Sequence, residues 1–407
     1  MSSTSKEIKK SGNDTWRKLI KNKLSVFGII IIGIATLVAI LGSLIRPDGS
    51  PDANEMNLAL TTKKPGFTVK MLLVRKNTEI IHPSFFSRMF FGGSENEHSQ
   101  IPITDYYFKN DELVVTEFTG NRSNSSNEKH FSLVDVVYPI SLKDSIKKDQ
   151  NGNISFYTIK GEKQVVSIMS LKNMVQQNHI IQKTYWLGTD RFGRDLLSRL
   201  MAGTLISLSV GFISVFISII IGVVLGSLAG YYRGSTDDII MWLINVVWSI
   251  PTLLLVIAIT LALGKGFWQI FIAVGLTMWV DVARLVRGQV LSIREKEFIE
   301  AGRALGFSDF RIIFRHILPN IIGPIIVISA TNFASAILNE AGLSFLGIGA
   351  QPPMASWGGM IKDHYGYIIV DAAYLAIFPG LAIMLLVLAF ILLGNGLRDA
   401  LDNKFYQ

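Results

Sequence analysis

The 407-residue sequence predicts an all-α polytopic membrane protein of about six transmembrane helices, with a β-rich insert between helices one and two. Three observations lead to this fold class. Hydrophobic residues make up 49% of the chain, and they are gathered into runs close to the ~20 residues that cross a bilayer. One long stretch after the first run is instead polar, with alternating apolar residues. Lysine and arginine are concentrated in the loops that the positive-inside rule assigns to the cytoplasm.

The first apolar run, residues 24–45, is charge-free and follows a tail, residues 1–23, with seven basic residues after Met1. The run is longer than the ~7–15 apolar residues of a cleaved signal peptide, and no clear small-residue cleavage site follows it. We interpret it as a retained anchor, transmembrane helix one, with the tail in the cytoplasm.

Residues 46–187 form the predicted insert, which this topology places outside the cytoplasm. Alternating runs from Phe67 to Val74, from Leu113 to Phe118 and from Ile154 to Ile159 predict strands, and turn residues such as Lys160-Gly161 separate them. Two functions stay open for the insert. It is either a docking surface for a substrate-binding protein or a cap over the mouth of a pore.

No metal site is predicted. The four histidines of the insert lack metal-ligand spacing and are predicted to be solvated surface residues: His82, His98, His130 and His179. The chain has no cysteine, which excludes disulfides, thiolate metal sites and cysteine nucleophiles.

Residues 188–403 hold the other five predicted spans: Leu200 to Tyr232, Ile239 to Gly264, Gly266 to Val280, Ile317 to Asn339 and Ala372 to Leu397. The third of the six spans overall contains Pro251, which predicts a kink, and the fourth is long enough only if it continues past Asp281. Three residues in or at the end of these spans are candidates for a translocation path: Asn245, Pro251 and Glu340, the last at the outer end of helix five. For Asn245 a hydrogen bond across helices, and for Glu340 a structural role, remain alternatives. The same segment contains glycines at four-residue spacing, Gly222, Gly226 and Gly230, which predict close helix packing.

The sequence contains no recognisable catalytic constellation, no phosphate-binding loop and no cofactor motif. If the protein works by ATP hydrolysis, a separate subunit must therefore bind the ATP and its magnesium. The net charge of +8 is concentrated in the predicted cytoplasmic segments, which favours topology and anionic lipid over nucleic acid as its explanation.

Residues 288–319 form a polar, arginine-rich segment between two predicted spans. Apolar residues at 305, 310, 313, 314 and 317 have helical periodicity that is interrupted at Gly306. The pattern predicts two short amphipathic helices with a bend at that glycine. Pro319 is predicted in the first turn of the next span, where proline costs least.

This segment resembles the cytoplasmic coupling segment of ABC importer permeases, whose pattern is Glu-Ala-Ala, three residues, Gly, nine residues, Ile, one residue, Leu-Pro. Two positions depart from the pattern, Gly302 and His316. The resemblance implies that the segment couples an ATPase to the membrane helices through these residues: Glu300, Ala301, Gly302, Ala304, Leu305, Gly306, Asp309, Arg315, His316, Leu318 and Pro319.

A second motif precedes the second span and resembles the second permease subunit of the dipeptide, oligopeptide and nickel importers. Its residues are Gly188, Thr189, Asp190, Gly193, Arg194 and Asp195. The resemblance covers residues 186–403 closely and 14–46 as an anchor. Read without it, the alternating charges from Asp190 to Arg199 predict a helix at the membrane surface with a solvated face.

The resemblance implies one transmembrane subunit of a peptide importer in a bacterial inner membrane, multi-pass, working by alternating access with both termini cytoplasmic. Its implied partners are a homologous permease, two cassette ATPases, an extracytoplasmic binding protein and membrane lipid, with no nucleic acid. Nickel or another small solute remains an alternative substrate. An ion-coupled carrier is the rival class, but it needs ionisable residues near the bilayer midplane, which is nearly free of them here.

Overall fold

The computed structural model describes residues 15–80, 84–85, 87, 93–120, 127–141, 146–149, 152–264 and 266–402. The chain divides into two compact units. The first comprises residues 1–39, 203–368 and 373–407, and the second comprises residues 40–202 and 369–372. His82 and the basic residues Lys6, Lys9 and Lys10 lie outside the described residues.

The helices are numbered in chain order after a short helical stretch at 15–21. Asn22 interrupts that stretch and caps the next helix, because its side-chain oxygen accepts hydrogen bonds from the Leu24 and Ser25 amides at 3.1 and 3.3 Å. The helices are α1 Lys23–Ile45, α2 Leu133–Val137, α3 Ile168–Met174, α4 Leu196–Tyr232, α5 Gly234–Trp248, α6 Thr252–Leu263, α7 Phe267–Arg294, α8 Glu297–Ala304, α9 Asp309–Ile312, α10 Leu318–Phe345, α11 Trp357–His364 and α12 Tyr374–Asp402.

Among the described residues, five helical runs are long and apolar enough to cross a membrane, namely α1, α4, α7, the run Asp309–Phe345 and α12. A sixth span exists if α5 and α6 count as one. As predicted, the fourth span continues past Asp281, to Arg294.

The third span is not the kinked helix that the sequence predicts. Its halves, α5 and α6, meet at 93°. Pro251 precedes α6 in an extended conformation and has no amide proton to donate. The helix therefore ends before the proline and a new one starts after it.

Helices α4 and α7 pack at the glycines predicted to allow close approach. A Cβ added at Gly222 would lie 2.5 Å from the Val282 Cβ, and one at Gly230 would lie 2.8 Å from the Arg287 carbonyl oxygen. An added Cβ at Gly226 would overlap the carbonyl oxygen of Ala283. The spacing is thus used for packing, as in other membrane helix pairs.

The second unit contains the β-rich insert. Its strands are β1 Phe67–Arg75, β2 His98–Lys109, β3 Glu112–Glu117, β4 Glu128–Ser132, β5 Lys147–Lys148, β6 Asn153–Tyr157, β7 Lys163–Ser167 and β8 Ile180–Tyr185. Within the described residues they form an antiparallel sheet in the order β4-β3-β2-β1-β8 and a smaller one in the order β5-β6-β7. The three predicted strands are present, and Gly161 lies in the turn that joins β6 to β7.

The sequence predicts that the histidines of the insert are solvated surface residues, and for His179 this prediction is wrong. His179 is buried and its Nδ1 lies 2.8 Å from the Leu73 carbonyl oxygen. Its ring meets that of His98 edge to face, with 5.4 Å between centroids. Strand pairing between β1 and its two neighbours brings these distant residues together, which scattered spacing could not reveal. His130 is exposed and lies beside Glu112.

Candidate functional site

The predicted coupling segment folds as two short helices, α8 and α9, joined by a turn. Gly306 lies in that turn with φ of 77°, in the left-handed region that favours glycine. The Ser308 side chain then caps α9 by accepting a hydrogen bond from the Arg311 amide at 3.4 Å. The segment therefore has the bent two-helix form that its sequence predicts.

One side of the segment packs on the helical unit. Ile299, Ile312, Ile313 and Ile317 are buried in a cluster with apolar side chains of α7. Removing this much apolar surface from water holds both short helices against the longer one. Pro319 lies in the first turn of α10, at the predicted place.

The other side of the segment is exposed and aromatic. Leu305 is 73% exposed and Phe310 is 69% exposed, and the Phe310 ring lies 4.2 Å from that of Phe314, centroid to centroid. The predicted pair of short helices is present, but its exposed side is apolar as well as its packed side. Within the helical run that starts at Asp309, Ile313 and Ile317 face inward while Phe310 and Phe314 face outward, because neighbouring helix positions point about 100° apart.

The outward side also carries charge. Its exposed members include Glu300, Arg311 and Arg315, together with the small residues Ala301 and Ala304. Arg303 is exposed as well, but its guanidinium lies over the ring of Tyr231 on α4. We call the exposed set Leu305, Phe310, Phe314 and Arg315 the coupling surface. Exposed aromatic residues beside arginine are the composition that marks protein–protein interfaces.

The two departures from the coupling pattern fit the structure. A Cβ added at Gly302 would lie 3.4 Å from the Phe307 ring, an ordinary contact, so either glycine or alanine fits there. The His316 ring stacks on Phe307 with 5.6 Å between centroids and 15° between planes. A flat ring thus takes the place that the pattern gives to isoleucine. Leu318 follows at the first position of α10, partly buried.

Two polar contacts that the sequence did not reveal hold the neighbouring helices. Arg287 on α7 forms a two-bond ion pair with Asp237 on α5, with distances of 2.5 and 2.6 Å. Tyr231 on α4 donates a hydrogen bond to Asp309 at 2.7 Å. The partners are 50 and 78 residues apart in sequence, so no local pattern could have paired them.

The motif at residues 188–195 is not part of a surface helix, which corrects the prediction for Asp190 to Arg199. Residues 190–194 form a turn, Thr189 and Asp195 bridge across it, and α4 begins only at Leu196. Asp190 is buried, and its carboxylate accepts hydrogen bonds from the Arg194 amide at 3.0 Å and from Arg194 Nε at 2.6 Å. The alternating charges pair inside the unit rather than facing solvent.

The motif makes hydrogen bonds and close backbone contacts with residues 57–63, which follow α1 in the chain. The Thr189 hydroxyl donates to the Leu60 carbonyl and accepts from the Lys63 amide. A Cβ at Gly188 would overlap the carbonyl oxygen of Lys63, and one at Gly193 would overlap that of Asn57. The glycines are thus required by close backbone contact, and the motif has a structural role in this unit.

The three path candidates are not brought together. Asn245 and Pro251 are exposed on the bent pair α5 and α6. Glu340 lies near the C-terminal end of α10, where it is 1% exposed, and its Oε1 accepts a hydrogen bond from the Ser344 hydroxyl at 2.7 Å. That contact joins two successive turns at the end of α10, which fits the structural role left open for Glu340.

A small polar pocket in the second unit contains a carboxyl group with a displaced pKa. Burial raises the pKa of Glu55 from 4.5 to about 6, Lys183 opposes the rise, and Asp48 adds to it. Asn96 and Gln100 donate hydrogen bonds to its Oε2 at 2.6 and 2.9 Å.

Stability of the second unit should therefore depend on pH through Glu55. Between pH 4.5 and about 6 the folded carboxyl holds a proton that the unfolded one releases. The unfolding free energy should fall by up to about 2 kcal/mol as pH rises through this window. Thermal unfolding of the chain in detergent checks this, because Glu55→Gln should flatten the profile. The exposed Glu162→Gln variant should keep the wild-type profile, and an unchanged profile in Glu55→Gln would contradict the assignment.

No group of three or more potential metal ligands occurs among the described residues.

Two family profiles match the chain. Residues 222–406 match the binding-protein-dependent transport system inner membrane component, and residues 12–61 match the N-terminal TM domain of oligopeptide transport permease C. Most of the β-sheet unit lies between the two matches.

Known proteins also resemble the chain. The chain is 46% identical over 220 residues to the glutathione transport system permease protein GsiD of Pectobacterium atrosepticum, covering 54% of this chain and 73% of that one. The dipeptide transport system permease protein DppC of Alkalihalophilus pseudofirmus is also 46% identical over 220 residues, covering 54% and 72%. Among solved structures, an inward-facing MetNI methionine ABC transporter has a TM-score of 0.42 at 21% identity, covering 50% of this chain and 96% of that one.

Proposed function

Because the chain belongs to the family of binding-protein-dependent transport system inner membrane components, we propose that it is a membrane-spanning subunit of an ABC importer for peptides. The family resemblance found in the sequence is confirmed by these matches. The family is a transport permease component, so the hydrolysis of ATP belongs to a separate subunit. Glutathione and dipeptides, named for the relatives, are small peptides, and they favour a peptide over nickel.

The observation that carries this proposal is the coupling surface. Leu305, Phe310 and Phe314 are exposed on a segment whose other side is firmly packed. A rigid apolar patch with a neighbouring arginine suits insertion into a groove of a nucleotide-binding subunit. When two such subunits close on ATP, the force acts on α8 and α9. It reaches the membrane helices through the continuous helical run Asp309–Phe345.

The orientation follows from the same assignment. A cytoplasmic ATPase requires the coupling segment to face the cytoplasm, which agrees with the arginines of the segment and the basic N-terminal tail. The second unit, which follows α1, is then extracytoplasmic. There it either docks the substrate-binding protein or covers the pore mouth. The exposed apolar faces of α5 and α6 suit a homologous second permease.

Affinity purification of the tagged chain from its native membrane in mild detergent tests the proposal. We expect a cassette ATPase and a second permease to be recovered with it. Phe310→Ser should reduce recovery of the ATPase about tenfold or more, as for loss of a central interface aromatic, while the second permease stays bound.

The matched control is Tyr157→Ser, which removes an exposed aromatic ring from the second unit. It should leave recovery of the ATPase unchanged. A wild-type chain that purifies alone and still mediates uptake after reconstitution would point to the ion-coupled carrier instead.

A further inference from the structure

One tyrosine joins the C-terminal end of α4 to the coupling segment. Tyr231 is 4% exposed, and its hydroxyl donates a hydrogen bond to Asp309 Oδ1 at 2.7 Å. Asp309 is the first residue of α9. A single side-chain contact therefore connects a membrane helix directly to the helix that carries part of the coupling surface.

Two other helices meet the same ring. The guanidinium carbons of Arg294, at the end of α7, and Arg303, on α8, lie 5.7 and 5.3 Å from its centroid. Both distances are in the range of cation–π attraction. Tyr231 thus contacts α7, α8 and α9 from its position on α4, and it lies in the same buried cluster as Ile299 and Ile312.

Packing alone does not account for the hydroxyl. Phenylalanine would fill the same volume and keep both guanidinium–ring contacts, so what the hydroxyl adds is its hydrogen bonding to the coupling segment: the bond to Asp309 on α9 and an interaction with Arg303 on α8. A hydrogen bond to a carboxylate is stronger than one between neutral groups. On its other side, the end of α4 is already held to α7, because Gly230 lies against Val290 and the Arg287 backbone.

We propose that the Tyr231–Asp309 hydrogen bond is a positioning link that makes α4 and the coupling segment move as one body. The inference rests on the proposed function, since the motion comes from a partner ATPase. Force on α9 then reaches α4 as well as α10, so two membrane helices shift together. Without the hydroxyl the segment can dock and tilt while α4 lags behind.

The test uses the complete complex reconstituted in vesicles, with radiolabelled trialanine as the transported probe. We expect Tyr231→Phe to recover the ATPase and to melt within a few degrees of the wild-type temperature. It should transport about three- to tenfold less peptide per ATP hydrolysed, the range that corresponds to one hydrogen bond. Asp309→Ala removes the same bond and should also lower this ratio, and the double variant should be no worse than the more impaired single variant, as for two residues that share one contact.

The matched control is Tyr157→Phe, the same chemical change in the second unit, which should keep the wild-type ratio. A wild-type ratio in Tyr231→Phe would overturn the link. So would loss of ATPase recovery in that variant, or additive losses in the double variant, because each assigns the hydroxyl another role. Failure of the wild-type chain to recover an ATPase would instead refute the proposed function itself.

Discussion

Replacing Gly306 by valine should reduce peptide uptake by about tenfold or more, while the chain still inserts into the membrane. The φ of 77° at this position is costly for a β-branched residue. Nothing lies within 4 Å of an added Cβ, so the whole effect comes from the backbone. The strain is relieved only if the turn between α8 and α9 opens. That would move Phe310 away from its place on the coupling surface.

Gly306→Asn is the matched control, because asparagine tolerates the left-handed region better than other residues with a side chain. It adds a comparable volume in the same open space, and most of the uptake should survive. Uptake into whole cells, the amount of chain in the membrane fraction and the recovery of the ATPase are measured together. Normal uptake by the valine variant would remove the coupling role from this turn.

The sequence predicted those features that depend on local chemistry. Span positions followed from hydrophobic runs, and close packing of α4 against another helix followed from the spacing of Gly222, Gly226 and Gly230. The turn at Gly306 and the β6–β7 hairpin at Gly161 followed from residues that tolerate positive φ. In each case the side chain, or its absence, determines the structure within a few residues.

Features that depend on distant partners were missed. Pro251 marked a break in the third span, but the 93° angle depends on what α5 and α6 pack against. The charges from Asp190 to Arg199 have helical spacing, yet their partners include Asn54, which Arg194 contacts at 2.9 Å. A pattern within ten residues contains no information on a contact 140 residues away. The same limit hid Tyr231 and its bond to the coupling segment.

Helical periodicity had a further limit in the coupling segment. It identified the apolar residues but could not separate the ones that pack from the ones that stay exposed. Ile313 and Phe314 are adjacent and both strongly apolar, yet Ile313 is buried and Phe314 is exposed. The two residues lie on one continuous helical run and, at 3.6 residues per turn, point about 100° apart, so only Ile313 reaches the buried cluster. The exposed half is the half that a partner could bind.

Replacing Gly193 by alanine should unfold the second unit at temperatures where the wild type is stable. The new Cβ would overlap the Asn57 carbonyl oxygen and lie 2.6 Å from its carbon, at a φ of 72°. Asn57 cannot retreat easily, because its amide donates to the Phe192 carbonyl at 3.1 Å and its side chain donates to the Gln100 carbonyl at 3.2 Å. We expect a loss of about 3 kcal/mol or more from overpacking and backbone strain together.

Gly161→Ala separates the two causes. Gly161 has nearly the same φ, 80°, but nothing lies within 4 Å of an added Cβ. It should therefore lose only the backbone part, about 1–2 kcal/mol. Thermal melting and protease resistance of both variants in detergent measure the difference. Equal losses of unfolding free energy in the two variants would mean that the backbone at Asn57 shifts to make room for the new Cβ. The motif at 188–195 would then need its glycine only for the turn. A larger loss at Gly193 would mean that the motif is the clamp between the chain after α1 and the start of α4.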